Sequence, residues 1–273
     1  MLILFTLSFF ALGAIVGSFL NVVIYRHNTG LTLGGRSFCF SCTRVLAAID
    51  LVPVLSFAVF GGKCRTCKSA ISVQYPLVEL VTGVLFAFTF FYLVGPVLSF
   101  AGFTEVLHAS IVSLYYLAIF SLLVVIFVYD LKHTIIPNMF VYAFILLSLA
   151  SVFVDMQTFS FSFNLWHLLA GPILFAPFAF LWAISKGMWM GFGDAKLAWG
   201  IGWFLGLASG ALALLLSFWI GAVVGVSLLL ISYLVKSGVG RTMKSEIPFA
   251  PFLIIGTVVS FFCADYIITF LFI

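Results

Sequence analysis

The chain has 273 residues, 64% of them hydrophobic, 18% aromatic and only 7% charged, with a formal net charge of +4. A mean hydropathy of +1.32 excludes an ordinary soluble domain and indicates an all-α polytopic membrane protein, with the lipid bilayer as its first partner. No basic tract calls for a nucleic acid, and the charge is informative through its placement.

Residues 2–25 are almost wholly apolar and long enough to cross a bilayer as a helix. A secretory signal carries its positive charge before the apolar run, whereas here Arg26 follows it. The run reads as a retained first helix with its N-terminus outside. Residues 26–75 form the one sizeable polar block, holding Arg26, Arg36, Arg44, Lys63, Arg65, Lys68 and four of the five cysteines. Its apolar middle, Leu51 to Phe57, is too short to cross and reads as a small core or as a membrane-facing edge. Apolar segments then recur at 76–95, 106–129, 138–154, 165–185, 195–208, 210–235 and 248–271. With the first helix these predict about eight spans, the division near Gly206 to Gly210 being the least marked. The domains expected are the first helix (1–25), a cytoplasmic tetracysteine domain (26–75) and a seven-helix membrane domain (76–273).

Threading eight spans from an outside N-terminus places loops 26–75, 130–137, 186–194 and 236–247 in the cytoplasm. All twelve Lys and Arg residues fall in or beside those loops, while the opposite face carries Glu105, Asp155 and Asp265. This is the asymmetry of the positive-inside rule.

Five acidic residues fall on the cytoplasmic side: Asp50, Glu79, Asp130, Asp194 and Glu246. Asp130 ends the third span and Asp194 opens the sixth in Gly191-Phe192-Gly193-Asp194, so both are expected near one membrane depth. An ionisable residue at the edge of hydrocarbon is costly and is a functional candidate by default. Two carboxylates close together in a poorly solvated site share a proton, so one can activate water while the other polarises a carbonyl. The residues alone leave a second reading open, with Asp130 paired to Lys132 and Asp194 to Lys196 as ordinary interfacial charges. Gly191 and Gly193 would allow unusual backbone geometry or close approach of another segment.

Cys39-Phe40-Ser41-Cys42 and Cys64-Arg65-Thr66-Cys67 are separated by 21 residues. Two close pairs of thiols suit a closed tetrahedral zinc site, which would staple a domain too small to hold itself by its core. Redox-active or free thiols are the alternative. Cys263 is expected to be a packing residue.

Several stretches together resemble the bacterial type IV prepilin peptidases, a branch of the GxGD aspartyl proteases. They are Gly17-Ser18-Phe19-Leu20-Asn21-Val22-Val23-Ile24-Tyr25-Arg26, the paired Cys-x-x-Cys motifs and Ile71 to Leu80. Tyr129-Asp130-Leu131, Ile136-Pro137-Asn138, Gly191 to Leu197 and Ile247-Pro248-Phe249-Ala250-Pro251-Phe252 complete the set, in family order. The resemblance implies an inner-membrane enzyme that cleaves prepilin and pseudopilin leaders after a glycine at the cytoplasmic face. It then N-methylates the new N-terminal residue with S-adenosyl-L-methionine. Asp130 and Asp194 would carry the cleavage, Glu79 would take part in methyl transfer, and the cysteine block would bind zinc. Without the resemblance, Glu79 reads as a helix-terminal carboxylate facing a basic loop.

Lys132, His133 and Lys196 flank the aspartates and read either as solvated charges or as groups that tune the pair or meet substrate. Pro248 and Pro251 mark a helix start that could also line a substrate path. The family often has an acidic residue in place of Lys132 and Asp in place of Asn138. Alternatives are another GxGD protease, of preflagellin or presenilin type, and a proton- or cation-coupled transporter. The latter expects polar groups deep within spans, and these spans have almost none.

Overall fold

The computed structural model describes residues 2–30, 32–98, 102–155, 160–161, 163–235 and 248–271. The expected loop 236–247, with Glu246 and Ile247, lies outside the described residues. Two compact units are present, Met1–Val125 and Ile126–Ile273.

In the first unit, helix α1 (Leu2–Arg26) packs along α3 (Gln74–Leu93), with small residues where the backbones approach most closely. A Cβ on Gly17 would lie 2.8 Å from the Cα of Glu79. Arg26 closes α1 and holds the chain that follows, donating to the carbonyls of Thr32 at 2.8 Å and Gly34 at 2.6 Å. Between α1 and α3 lies the cysteine block, with a 3₁₀ turn (Ala48–Leu51) and the one-turn helix α2 (Leu55–Val59). Neither turn contains a buried residue, so the apolar middle of the block is surface and not a core.

Val54, which leads into α2, has φ 60° and ψ −48°, and the Leu55 amide donates to the Pro53 carbonyl at 2.5 Å. This is a γ-turn of the rare positive-φ kind on a β-branched residue, a conformation that costs about 1–3 kcal/mol and persists only when surrounding contacts impose it.

Beyond α3 come a short helix α4 (Gly95–Leu98) and the long helix α5 (Phe103–His133), in which the boundary between the units falls. In the second unit α6 (Asn138–Phe153) leads into a two-residue antiparallel pair, β1 (Val154–Asp155) with β2 (Ser160–Phe161). Helices α7 (Leu165–Ser185) and α9 (Ala250–Leu271) follow around α8 (Phe192–Val235), which packs on α6, α7 and α9.

Among the described residues, five helices are long and apolar enough to cross a membrane: Leu2–Arg26, Gln74–Val97, Thr104–His133, Leu165–Ser185 and Phe192–Ile231. Asn138–Phe153 is shorter, whereas α9 at 22 residues is about 33 Å long. At 16 residues α6 is about 24 Å long, less than a hydrocarbon core of about 30 Å. The expected sixth and seventh spans follow one another without a loop, as two helical stretches joined by a kink at Gly206 with φ 78° and ψ −177°. That combination is open essentially only to glycine. At 44 residues α8 is about 66 Å long, more than twice a hydrocarbon core, and the break at Gly206 divides it where the sequence predicts two spans.

Candidate active site and metal centre

Asp130 and Asp194 both belong to the second unit. Helix α5 ends just past Asp130: Thr134 adopts φ 53°, its amide returns to the Asp130 carbonyl at 2.8 Å, and Pro137 prevents continuation. Asp194 lies in the first turn of α8, with its amide on the Gly191 carbonyl at 3.2 Å. Both side chains are buried, 3% and 7% exposed. The Ala250 amide donates to the Asp130 carboxylate and the Gly191 amide to that of Asp194. The two carboxyl groups also interact electrostatically with each other. Asp130 Oδ2 and Asp194 Oδ1 are buried without a hydrogen-bond partner among the described residues. Buried polar oxygens are ordinarily satisfied, so two orphans on two interacting carboxyls mark a place for a water, a proton or a substrate carbonyl.

The ordinary-charge reading expects Lys196 on Asp194, and the structure places it on Asn138. Among the described residues, ion pairs join Asp50 to Arg44 at 2.7 Å and to Arg65 at 3.4 Å, and neither Asp130 nor Asp194 is in one. Lys196 instead donates to Asn138 Oδ1 at 2.8 Å, with its ammonium over the rings of Tyr142 and Phe192. Lys132 is exposed in the last turn of α5, where a cation complements the helix terminus, and the His133 ring lies tilted against Tyr129 at 4.5 Å.

Neither glycine of the Gly-Phe-Gly-Asp turn has a left-handed backbone. Gly193 matters through size, because a Cβ there would lie 2.9 Å from the Cβ of Ile136. The loop after α5 thus rests directly on the turn that opens α8. A Cβ on Gly191 would make only an ordinary 3.6 Å contact with Asp194 Oδ2.

Pro248 and Pro251 flank the start of α9, and Pro251 is buried. What this turn contributes is the amide of Ala250, a fully buried residue that sequence reasoning did not single out. Its only sequence signal was its place inside the Pro248-Phe249-Ala250-Pro251 match.

In the first unit Glu79, 8% exposed, accepts the Val54 N–H at 2.7 Å and a hydrogen bond from the Ser18 side chain. The predicted cysteines come together. Each pair sits in the same tight turn: the Cys39 amide donates to the Arg44 carbonyl and the Cys64 amide to that of Ser69, each at 2.9 Å. Thr43 and Lys68 carry the matching positive φ. All four sulfurs lie within 4.8 Å of one another, and Cys39 Sγ is 3.8 Å from Cys67 Sγ. Four sulfurs at about 2.3 Å from one centre would be about 3.8 Å apart in a tetrahedron, so the set fits a zinc ion. Amides of Cys42 and Ser41 draw the Cys39 thiol down to about 6, and the Ser69 hydroxyl and amide lower that of Cys67. Cys42 keeps a lowering hydrogen bond from the Arg44 amide, yet desolvation and the neighbouring thiols push it up to about 11. Four sulfurs this close would be held as thiolates by a bound cation.

The pattern described as the bacterial peptidase A24 N-terminal domain matches residues 11–93, and that of the type IV leader peptidase family matches 117–226. A Bacillus subtilis protein named prepilin leader peptidase/N-methyltransferase is 33% identical over 96% of this chain and 95% of its own length. Proteins of the same name from Myxococcus xanthus and Neisseria gonorrhoeae are 49% and 37% identical over 30% and 28% of the chain. Those two matches span 25% and 35% of the relatives' own lengths. No solved structure matches.

Proposed function

The chain belongs to the type IV leader peptidase family, and from that premise we propose that it cleaves the leaders of prepilins or pseudopilins and N-methylates the new N-terminus. One observation carries the reading: two buried, interacting aspartates, each with an orphan oxygen. In the reaction one carboxylate takes a proton from the attacking water, while the other, protonated, donates to the scissile carbonyl. The Ala250 and Gly191 amides orient the pair. Ile136 against Gly193 holds the two chain segments in register.

The enzyme is placed in the bacterial inner membrane with its N-terminus outside and the aspartates at the cytoplasmic face. The sorting of Lys and Arg to one set of loops supports this placement. The substrate's apolar stem then stays in the bilayer while its basic leader meets the site from the cytoplasm. Cys39, Cys42, Cys64 and Cys67 would hold a structural zinc, and four thiolates leave no open position for catalysis.

S-adenosyl-L-methionine would supply the methyl group. Glu79 suits that reaction, being a buried carboxylate that accepts, among the described residues, from an N–H and a hydroxyl and so is able to take a positive amine. The bonds from Val54 and Ser18 fix its orientation.

The test uses the purified chain in detergent with a synthetic prepilin carrying its leader. Parent, Asp130→Asn, Asp194→Asn and a four-cysteine-to-serine variant are assayed for cleavage and for methyl incorporation. Cleavage at the parental rate by either aspartate variant would refute that residue's role.

A further inference from the structure

We propose that the apolar segment of the cysteine block, Val45 to Phe60, lies in the lipid headgroup layer beside the end of α3, with the bilayer surface as its partner. This rests on reading α1 and α3 as membrane spans and is independent of the peptidase and methyl-transfer assignments.

Among the sixteen residues of this segment only Asp50 and Ser56 carry polar side chains. The one charge is neutralised within the block. Asp50 accepts from Arg44 and Arg65 at 2.7 and 3.4 Å and from the Ala47 amide at 3.0 Å. The apolar side chains do not turn inward to make a core: Leu55 is 63% and Val59 74% exposed, and Ile49, Leu51 and Val52 are exposed as well. The segment is too short to cross, and the γ-turn at Val54 breaks it, so an interfacial position is the one open to it.

Its depth is set by Glu79. The Val54 N–H meets the Glu79 carboxylate at 2.7 Å, five residues into α3 from Gln74, or about 7 Å along the helix axis. At that level α3 turns Leu77, Leu80 and Val81 outward, residues that a spanning helix presents to lipid. The bond therefore places the strained turn below the start of the helix and level with lipid-facing side chains. Lys63 and Arg65 follow the segment and are exposed, in position for anionic headgroups, and Arg65 also lies over Phe60 at 5.1 Å. A neutralised acid, an outward apolar segment and basic residues beside it match a lipid surface.

The experiment places the full chain in nanodiscs of phosphatidylethanolamine and phosphatidylglycerol, with benzoylphenylalanine replacing Leu55 or Val59, and Lys68 as the control position. Leu55 and Val59 are exposed, so the label needs no internal space. On irradiation, mass spectrometry is expected to find phospholipid adducts at 55 and 59 at least about fivefold more often than at 68. Adducts to a second copy of the chain or to a prepilin in place of lipid would overturn the proposal. So would lipid adducts at 55 and 59 no more frequent than at 68. Loss of peptidase activity in the aspartate variants bears on none of these outcomes.

Discussion

The Glu79 carboxylate accepts the backbone N–H of Val54 at 2.7 Å, tying α3 to the strained turn of the cysteine block. A buried acid thereby acts on the block's backbone and, in the proposed reaction, on an amine. Glu79→Gln keeps an acceptor for Val54 but loses the charge. Methyl incorporation into pre-cleaved peptide is expected to fall about tenfold or more, with cleavage within about twofold of the parent. Glu79→Ala leaves the Val54 N–H without its acceptor and is expected to cost about 1–3 kcal/mol, read from the thermal unfolding midpoint.

Asn at either position 130 or 194 retains an oxygen to accept from the Ala250 or Gly191 amide, so the fold should stand. The proton traffic is removed, and cleavage is expected to fall by about 10³-fold or more in each variant. Methylation of pre-cleaved substrate should continue. Parallel loss of both activities would show that the sites are not separable.

Gly193→Ala and Gly191→Ala should part company. The first puts a methyl group 2.9 Å from Ile136 Cβ, a clash that a rotamer change cannot relieve because Cβ itself is the obstacle. It is expected to destabilise by about 1–3 kcal/mol and to lower kcat for leader cleavage. The second makes an ordinary contact and is expected to retain most activity.

Zinc content measured by atomic emission is expected at one ion per chain, falling to none in the variant with Cys39, Cys42, Cys64 and Cys67 changed to Ser. Because the ligands bind as thiolates, lowering the pH sets protons against the metal, and chelators should strip it faster at lower pH. Metal loss is expected to lower the unfolding midpoint and to impair methyl transfer. An unchanged midpoint after complete removal would argue against a structural role.

Gly206→Ala tests the interruption of α8. With φ at 78° and ψ at −177°, any side chain is strained, and a cost of about 1–3 kcal/mol is expected from the unfolding midpoint of the chain in detergent. No change would mean that α8 can straighten through this point.

Much of this protein is legible without its structure, because the signals are local. Hydropathy runs located α1, α3, α5, α6, α7 and α9 to within a few residues, since desolvating a helix depends on the composition of consecutive residues. The two Cys-x-x-Cys pairs foretold their own cluster, because each pair is made by one short turn. Asp130 and Asp194 stood out as charges beside apolar runs. What their sequence neighbours could not reveal is which partners they have. Lys196 is two positions from Asp194 yet bonds Asn138, and Asp130 takes its hydrogen bond from Ala250 at the start of the last helix. Glu79 holds Val54, and Gly193 is small for the sake of Ile136. The break at Gly206 falls where the sequence divides the sixth and seventh spans, but its form, a kink with no polar loop, is recorded only by the backbone angles. Burial follows from composition along the chain. Hydrogen-bond partners and close contacts depend on how distant segments pack, and the tertiary structure alone decided them.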